Sequence, residues 1–435
     1  MRSVQRDGRA RFVLVVTHLF PYPPSHGTEL RIFKLLIGLR SEGFRVVLVL
    51  CEEPGREEHL RELRKFVDAV HWVRPAWRTR LGQRLPRVRR LVWENVKSIV
   101  RPVWTPSDVP ANLYDTVPSN VGDERKKRVA PPRLAVLVAK LERKYKPVSV
   151  IAEYIFLTDC FALLEPGILR IVDTIDVFSL REKQVVQFGI DDDPWNSTRE
   201  EERAYLLRAD VIVAIQEREA NVLRELVPER KVLTVGIDFD VEESVALPTA
   251  HSDTVTVVAS GTPLNVHGLN AFLAECWPEI KSAHPAATLR VVGTIGAVCR
   301  IQDDAIDYTP WAEDLTEVYR QSRVIINPAV AGTGLKVKSV EALAHGKPLV
   351  AWPHGVEGLD YQGAPPYLKC ESWKEFAAAV IRVLQSDAEA AALSKRALEY
   401  ARGRFDQATV YAPLSACLRS HESVNGRNHS GNAAA

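Results

Sequence analysis

The sequence predicts an α/β protein made of two open, parallel-stranded domains in tandem. Three observations carry that expectation. Short, uniformly apolar runs, such as 46–50, have the length and β-branched content of strands covered on both faces. Segments with helical spacing alternate with them, as crossovers between parallel strands require. The chain has 435 residues, more than a single core usually organises.

Taken in order, residues 11–17 read as a strand, followed by a Pro/Gly loop through Gly27. Residues 28–41 carry Leu30, Phe33 and Ile37 at helical spacing, with Ile32, Leu36 and Leu39 widening the stripe, and Gly43 stops the helix. With strand 46–50 this makes a βαβ opening. After a long interruption, 148–152, 168–172, 211–214 and 232–235 read as strands, and 201–208 and 217–226 as helices. A linker rich in acids and small residues spans about 238–253. The second series runs through strand 254–259, helix 266–283, strand 288–292, helix 312–321, strand 324–327, loop 328–334, helix 335–345 and strand 348–352. Helices near 372–385 and 388–404 close it. The polar Asn/Ser/Gly/Ala-rich tail has the composition of a disordered end. The expected units are residues 1–240, residues 241–419 and a disordered 420–435. Two such domains place ligands at the carboxyl ends of their strands, in the cleft between them.

A formal net charge of +2 names no partner for the whole chain. The six cysteines form no C-x-x-C pair and no zinc spacing with histidine, so they read as reduced thiols of a cytoplasmic protein. No apolar run approaches the roughly 20 residues that cross a bilayer. The apolar stretch 12–20 is broken by His18 and followed by Pro21-Tyr22-Pro23-Pro24, which is not a signal-peptide cleavage site.

Local charge is uneven. Across 74–101 the basic residues Arg74, Arg78, Arg80, Arg84, Arg87, Arg89, Arg90, Lys97 and Arg101 face one acid, Glu94, with Trp77 and Trp93 among them. Two readings stand. The excursion, about 74–135, is solvated structure beside the sheet, or 74–101 is a surface for anionic lipid or a lipid-phosphate acceptor. Nothing in it resembles a nucleic-acid module.

The densest chemistry lies in 332–350, where Gly332-Thr333-Gly334 follows a strand and opens a helix. A helix start offers N–H groups and a positive dipole end to phosphate. Lys338 and Glu341 are three apart and share one face near that start. A cation there can meet a diphosphate, and a carboxylate there can hold a ribose diol. Spacing alone equally allows a glycine turn with a surface ion pair.

The block resembles the donor-binding signature of retaining glycosyltransferases of the GT-B fold, two Rossmann-like domains with parallel sheets facing a central cleft. Lys338, Glu341, Ala342, Ala344, Gly346, Pro348 and Val350 fit its pattern, and Gly355-Val356-Glu357-Gly358-Leu359 matches the segment that follows. Weaker matches are Pro21-Tyr22-Pro23-Pro24 with Gly27, 172–177, 209–214, Ser260-Gly261-Thr262, Asn265-Val266 and Trp277-Pro278. The resemblance implies a nucleotide-sugar donor, an acceptor hydroxyl and no metal or other cofactor. It implies that Glu341 binds ribose hydroxyls and that Lys338 meets the diphosphate, helped by N–H groups at Gly261 and Gly334. Gly27 then approaches the donor from across the cleft, and Asp176 lies near the acceptor or the transferred sugar.

Two departures bear on this. Thr333 stands where many relatives carry a first glutamate, and Thr262 and His267 stand where many carry Arg and Lys. Phosphate charge then falls on Lys338 and helix starts, with Lys336 a helper or a solvated side chain. Asp191-Asp192-Asp193 precedes Pro194 and reads as a solvated loop rather than a metal site. His18 and His26 flank the opening loop as structural groups or acceptor contacts. Two rival readings remain at this point: a sugar-nucleotide epimerase on the same domains, and a non-catalytic membrane-surface protein.

Overall fold

The computed structural model describes residues 10–24, 26–74, 130–180, 197–241, 253–312, 314–332 and 334–431, with side chains to residue 422. The basic segment after residue 74, Asp191-Asp192-Asp193 and Thr333 lie outside the described residues. So does most of the linker.

The first domain opens with β1 (Phe12–Thr17), α1 (Gly27–Ser41), β2 (Arg45–Leu50), α2 (Glu57–Leu63) and β3 (Ala69–Trp72). It continues with α3 (Leu134–Tyr145), β4 (Ser149–Glu153), β5 (Leu169–Asp173), α4 (Arg199–Leu206), β6 (Val211–Ala214), α5 (Glu217–Leu226) and β7 (Lys231–Thr234). Among the described residues, seven strands of this domain pair in parallel in the order β3-β2-β1-β4-β5-β6-β7. Residues 13–16 are fully buried because helices cover both faces. As the glycine signal implied, α1 stops at Gly43, whose φ of +87° lets its N–H and that of Phe44 bond Arg40 and Leu39 carbonyls.

The second domain runs β8 (Thr254–Val258), α6 (Pro263–Glu275), α7 (Trp277–Ala283), β9 (Thr288–Val292), β10 (Ile306–Thr309), α8 (Leu315–Gln321) and β11 (Val324–Asn327). Then follow α9 (Val337–Ala344), β12 (Leu349–Ala351), β13 (Leu368–Lys369), α10 (Trp373–Gln385) and α11 (Asp387–Arg402). Its strand order is β10-β9-β8-β11-β12-β13, again all parallel. The helix expected over 266–283 is two helices, because Pro278 withholds an N–H and starts a new one.

The chain end departs from expectation. Residues 420–431, read as disordered, are the last turns of α12 (Gln407–Gly431). Nor does that helix belong with the second domain, as the boundary at 419 assumed. Val410, Tyr411, Leu414, Cys417 and Leu418 fill the core of the first domain beneath α1. Ser415 and Arg419 bond Glu42, and His421 bonds the Gly167 carbonyl. The chain therefore crosses between domains twice. All six cysteines are buried free thiols.

Each sheet reverses its winding once, between β1 and β4 and between β8 and β11. Crevices open beyond the strand ends at such points. Loops from β1, β8 and β11 are those that carry Gly27, Gly261 and Gly332 to Gly334.

Candidate functional site

The loop between β11 and α9 turns at two glycines in left-handed backbone, Gly332 at φ +127° and Gly334 at φ +74°. Lys336 closes it: the ammonium donates to the Gly332 carbonyl at 2.9 Å and the Gly334 carbonyl at 3.2 Å. This corrects the solvated reading of Lys336, which is a buried strut. Below it, Asn327 donates to the Ser339 hydroxyl at 2.8 Å and to the Gly355 carbonyl at 3.0 Å, fixing the root of α9.

Lys338 and Glu341 both project from the first turns of α9, each partly buried. The Lys338 ammonium donates to Asn265 Oδ1 at 2.9 Å, and Asn265 is in turn held by Ser260. Burial, with Lys336 adding, pushes Lys338 down to about 7. Glu341 accepts from the Tyr319 hydroxyl at 2.9 Å, and that ring stacks on His345. Burial lifts Glu341 to about 7, against the opposing pull of Tyr319 and of Lys34 on α1. Lys34 reaches across from the first domain, where it also meets Asp238 at 3.3 Å. Lys338 and Glu341 are thus not a surface ion pair: each has its own partner.

The first domain meets this loop with two carboxylates. Asp176 follows a strained turn in which Ile175 takes φ +62° and the Asp176 N–H bonds the Thr174 carbonyl at 2.7 Å. A Cβ on Gly334 would sit 2.7 Å from Asp176 Oδ1. Glu219 on α5 accepts the Gly334 N–H at 2.6 Å. Gly27 faces the start of α9, where a Cβ would lie 3.6 Å from Val337. Gly261 lies close to Thr294 and Val298, and its N–H is taken by the Thr294 hydroxyl at 3.0 Å. Gly27 and Asp176 of the first domain thus lie against the loop and helix start that carry Gly332, Gly334, Lys338 and Glu341. The N–H groups of Gly261 and Gly334 already have protein partners there.

His18 is partly buried beside Tyr154, and desolvation lowers it to about 4. His26 is the residue before α1, 3.9 Å from Glu29. Among the described residues no three His, Cys, Asp or Glu side chains cluster as metal ligands. No helix there is long and apolar enough to cross a membrane. Sequence reasoning missed Glu219, Tyr319 and Lys34, none of which carries a local signal.

Comparison with known proteins bears on this arrangement. Residues 252–386 match the family model Glycosyl transferases group 1. No protein of curated function matches the chain. Sucrose-phosphate synthase from Thermosynechococcus elongatus superposes with a TM-score of 0.66 at 15% identity, over 96% of this chain and all of the other. TarM gives 0.64 at 10%, over 94% and 98%. Anabaena HepE in complex with UDP gives 0.60 at 14%, over 94% and 100%. The fold is GT-B.

Proposed function

We propose that this chain, whose fold is GT-B and whose residues 252–386 match the group 1 glycosyl transferase model, moves a sugar from a nucleoside-diphosphate sugar to an acceptor hydroxyl, with retention. The pair Lys338 and Glu341 at the start of α9 carries this reading. As the bond between the anomeric carbon and the diphosphate oxygen breaks, negative charge grows on that oxygen. An ammonium held in a water-poor cleft stabilises it more than water does. The approaching diphosphate also holds the proton on Lys338, which burial had loosened. Glu341, oriented by Tyr319, accepts the ribose hydroxyls. The acceptor oxygen bonds the anomeric carbon from the face the diphosphate leaves, and its proton passes to the departing phosphate. Asp176, beside the loop, is the alternative acceptor base.

HepE structures holding UDP, UDP and glucose, and UDP-glucose support a uridine donor class. No metal enters this scheme. The acceptor belongs to glycan or glycoconjugate synthesis, and 74–101 holds the enzyme to an anionic, cytoplasmic membrane face where a lipid-linked acceptor resides. A thermal-shift panel of UDP, GDP and their sugar conjugates, with and without EDTA, tests the donor reading. Stabilisation by a nucleoside diphosphate, unchanged by EDTA, supports it, and a flat panel overturns it. Flotation with anionic vesicles that fades in salt supports the membrane arm. Binding that is absent or indifferent to salt overturns that arm.

A further inference from the structure

The start of α5 is one of the places where the first domain touches the second. Arg218 pairs with Glu357, and Gln216 fills the space over Gly358. Glu219 reaches furthest in. It is 2% exposed, its Oε1 accepts the Gly334 N–H at 2.6 Å, and the Gln216 side chain is its other hydrogen-bonding neighbour. The donor reading asks that same N–H to receive a phosphate oxygen. A carboxylate oxygen now stands where that oxygen would.

One N–H cannot serve two anions, and the surroundings do not compensate for both. Asp176 already brings a second carboxylate against Gly334. The Lys336 ammonium bonds the Gly332 and Gly334 carbonyls. On α5 itself, Glu217 turns away to Arg224 and Thr234, and Arg218 is paired. His354, beyond β12, is pushed down by burial and by Lys336 and Arg218, so it brings no cation.

Resting on that donor reading, we propose that Glu219 gates the donor seat: its ionised carboxylate competes with the diphosphate for the Gly334 N–H, so donor binding and protonation of Glu219 are one coupled event. The proton comes from solvent. Burial, then Asp176, lifts the Glu219 carboxyl to about 8. Near neutrality the free protein already holds the proton that entry requires. As pH rises through about 8 that proton is lost, binding must restore it, and affinity falls. Glu219→Gln keeps an acceptor oxygen and removes the charge.

The test is the Kd of UDP and of GDP for wild type and Glu219→Gln, by calorimetry at about pH 7 and about pH 9. The gate requires near-equal affinities at the lower pH and about tenfold tighter binding by the variant at the higher one. Binding with the same pH dependence in both proteins overturns the gate and leaves the donor site standing. No binding by either protein overturns the donor reading as well. If Glu219→Gln does not fold, proton uptake by wild type at the higher pH, measured in two buffers, decides. Two protons, one for Lys338 and one for Glu219, support the gate, and one or none overturns it.

Discussion

Tyr411 of α12 lays its ring against Gly38 of α1, closer than any Cβ at position 38 would permit. The same residue donates a 3.0 Å hydrogen bond to Asp238, in the segment leaving the first domain. One side chain therefore ties the returning helix to both the core and the crossing. Tyr411→Ala is expected to lose about 3–5 kcal/mol of stability, and Tyr411→Phe about 0.5–1.5 kcal/mol, in urea denaturation. Equal, small losses from both would show that α12 is not part of the first domain's core.

Lys338→Ala and Glu341→Ala are expected to fail differently. On the proposed reading Lys338 faces charge that grows as the diphosphate leaves, so its loss is expected to lower kcat by roughly two orders of magnitude or more. On the same reading Glu341 holds groups remote from the breaking bond, so its loss is expected to weaken donor binding by about 1.5–3 kcal/mol and to spare kcat. Steady-state kinetics, with folding checked by circular dichroism, separates these outcomes. Near-native constants in both would remove the donor site from α9.

Tyr319→Phe probes the acid limb of donor binding. On the proposed reading ribose binding needs the Glu341 carboxylate, which forms as pH rises through about 7. The Tyr319 hydroxyl favours that carboxylate, so removing it moves the rising limb to higher pH and weakens UDP binding near neutrality. Lys338 sets an opposing limb, since it loses its proton as pH rises through about 7 in the free protein. A titration of affinity against pH checks both, and an unmoved acid limb would separate Tyr319 from the site.

Gly334→Ala joins two costs, a left-handed φ of +74° and a collision with Asp176. Gly363 shares the first, at φ +83°, with nothing within 4 Å of a Cβ. Gly363→Ala is expected to cost about 1 kcal/mol of stability with transfer intact. Gly334→Ala is expected to abolish most transfer while folding. Comparable activity in the two variants would mean that the approach of Asp176 to the loop is unimportant.

The strands were legible because burial on both faces leaves a continuous apolar run that needs no tertiary context. β3 was not, since His71 interrupts a short edge strand, and neither was the two-residue β13. The α12 helix escaped notice because Pro413 lies inside it and its stripe completes a distant core. In the candidate site, the shared placement of Lys338 and Glu341 at one helix start was readable because helix spacing is local. Their partners were not: Tyr319 lies 22 residues from Glu341, Asn265 lies 73 from Lys338, and Glu219 lies 115 from Gly334. Only the fold brings such pairs together.

The double crossing of the chain has a consequence for synthesis. The sheet of the first domain is complete once residue 234 has been made, yet the apolar floor beneath α1 waits for residues 410–418. During translation that domain stands with an uncovered patch while the whole second domain is assembled behind it. Nascent chains halted between the two points are therefore the species most prone to aggregate or to recruit a chaperone.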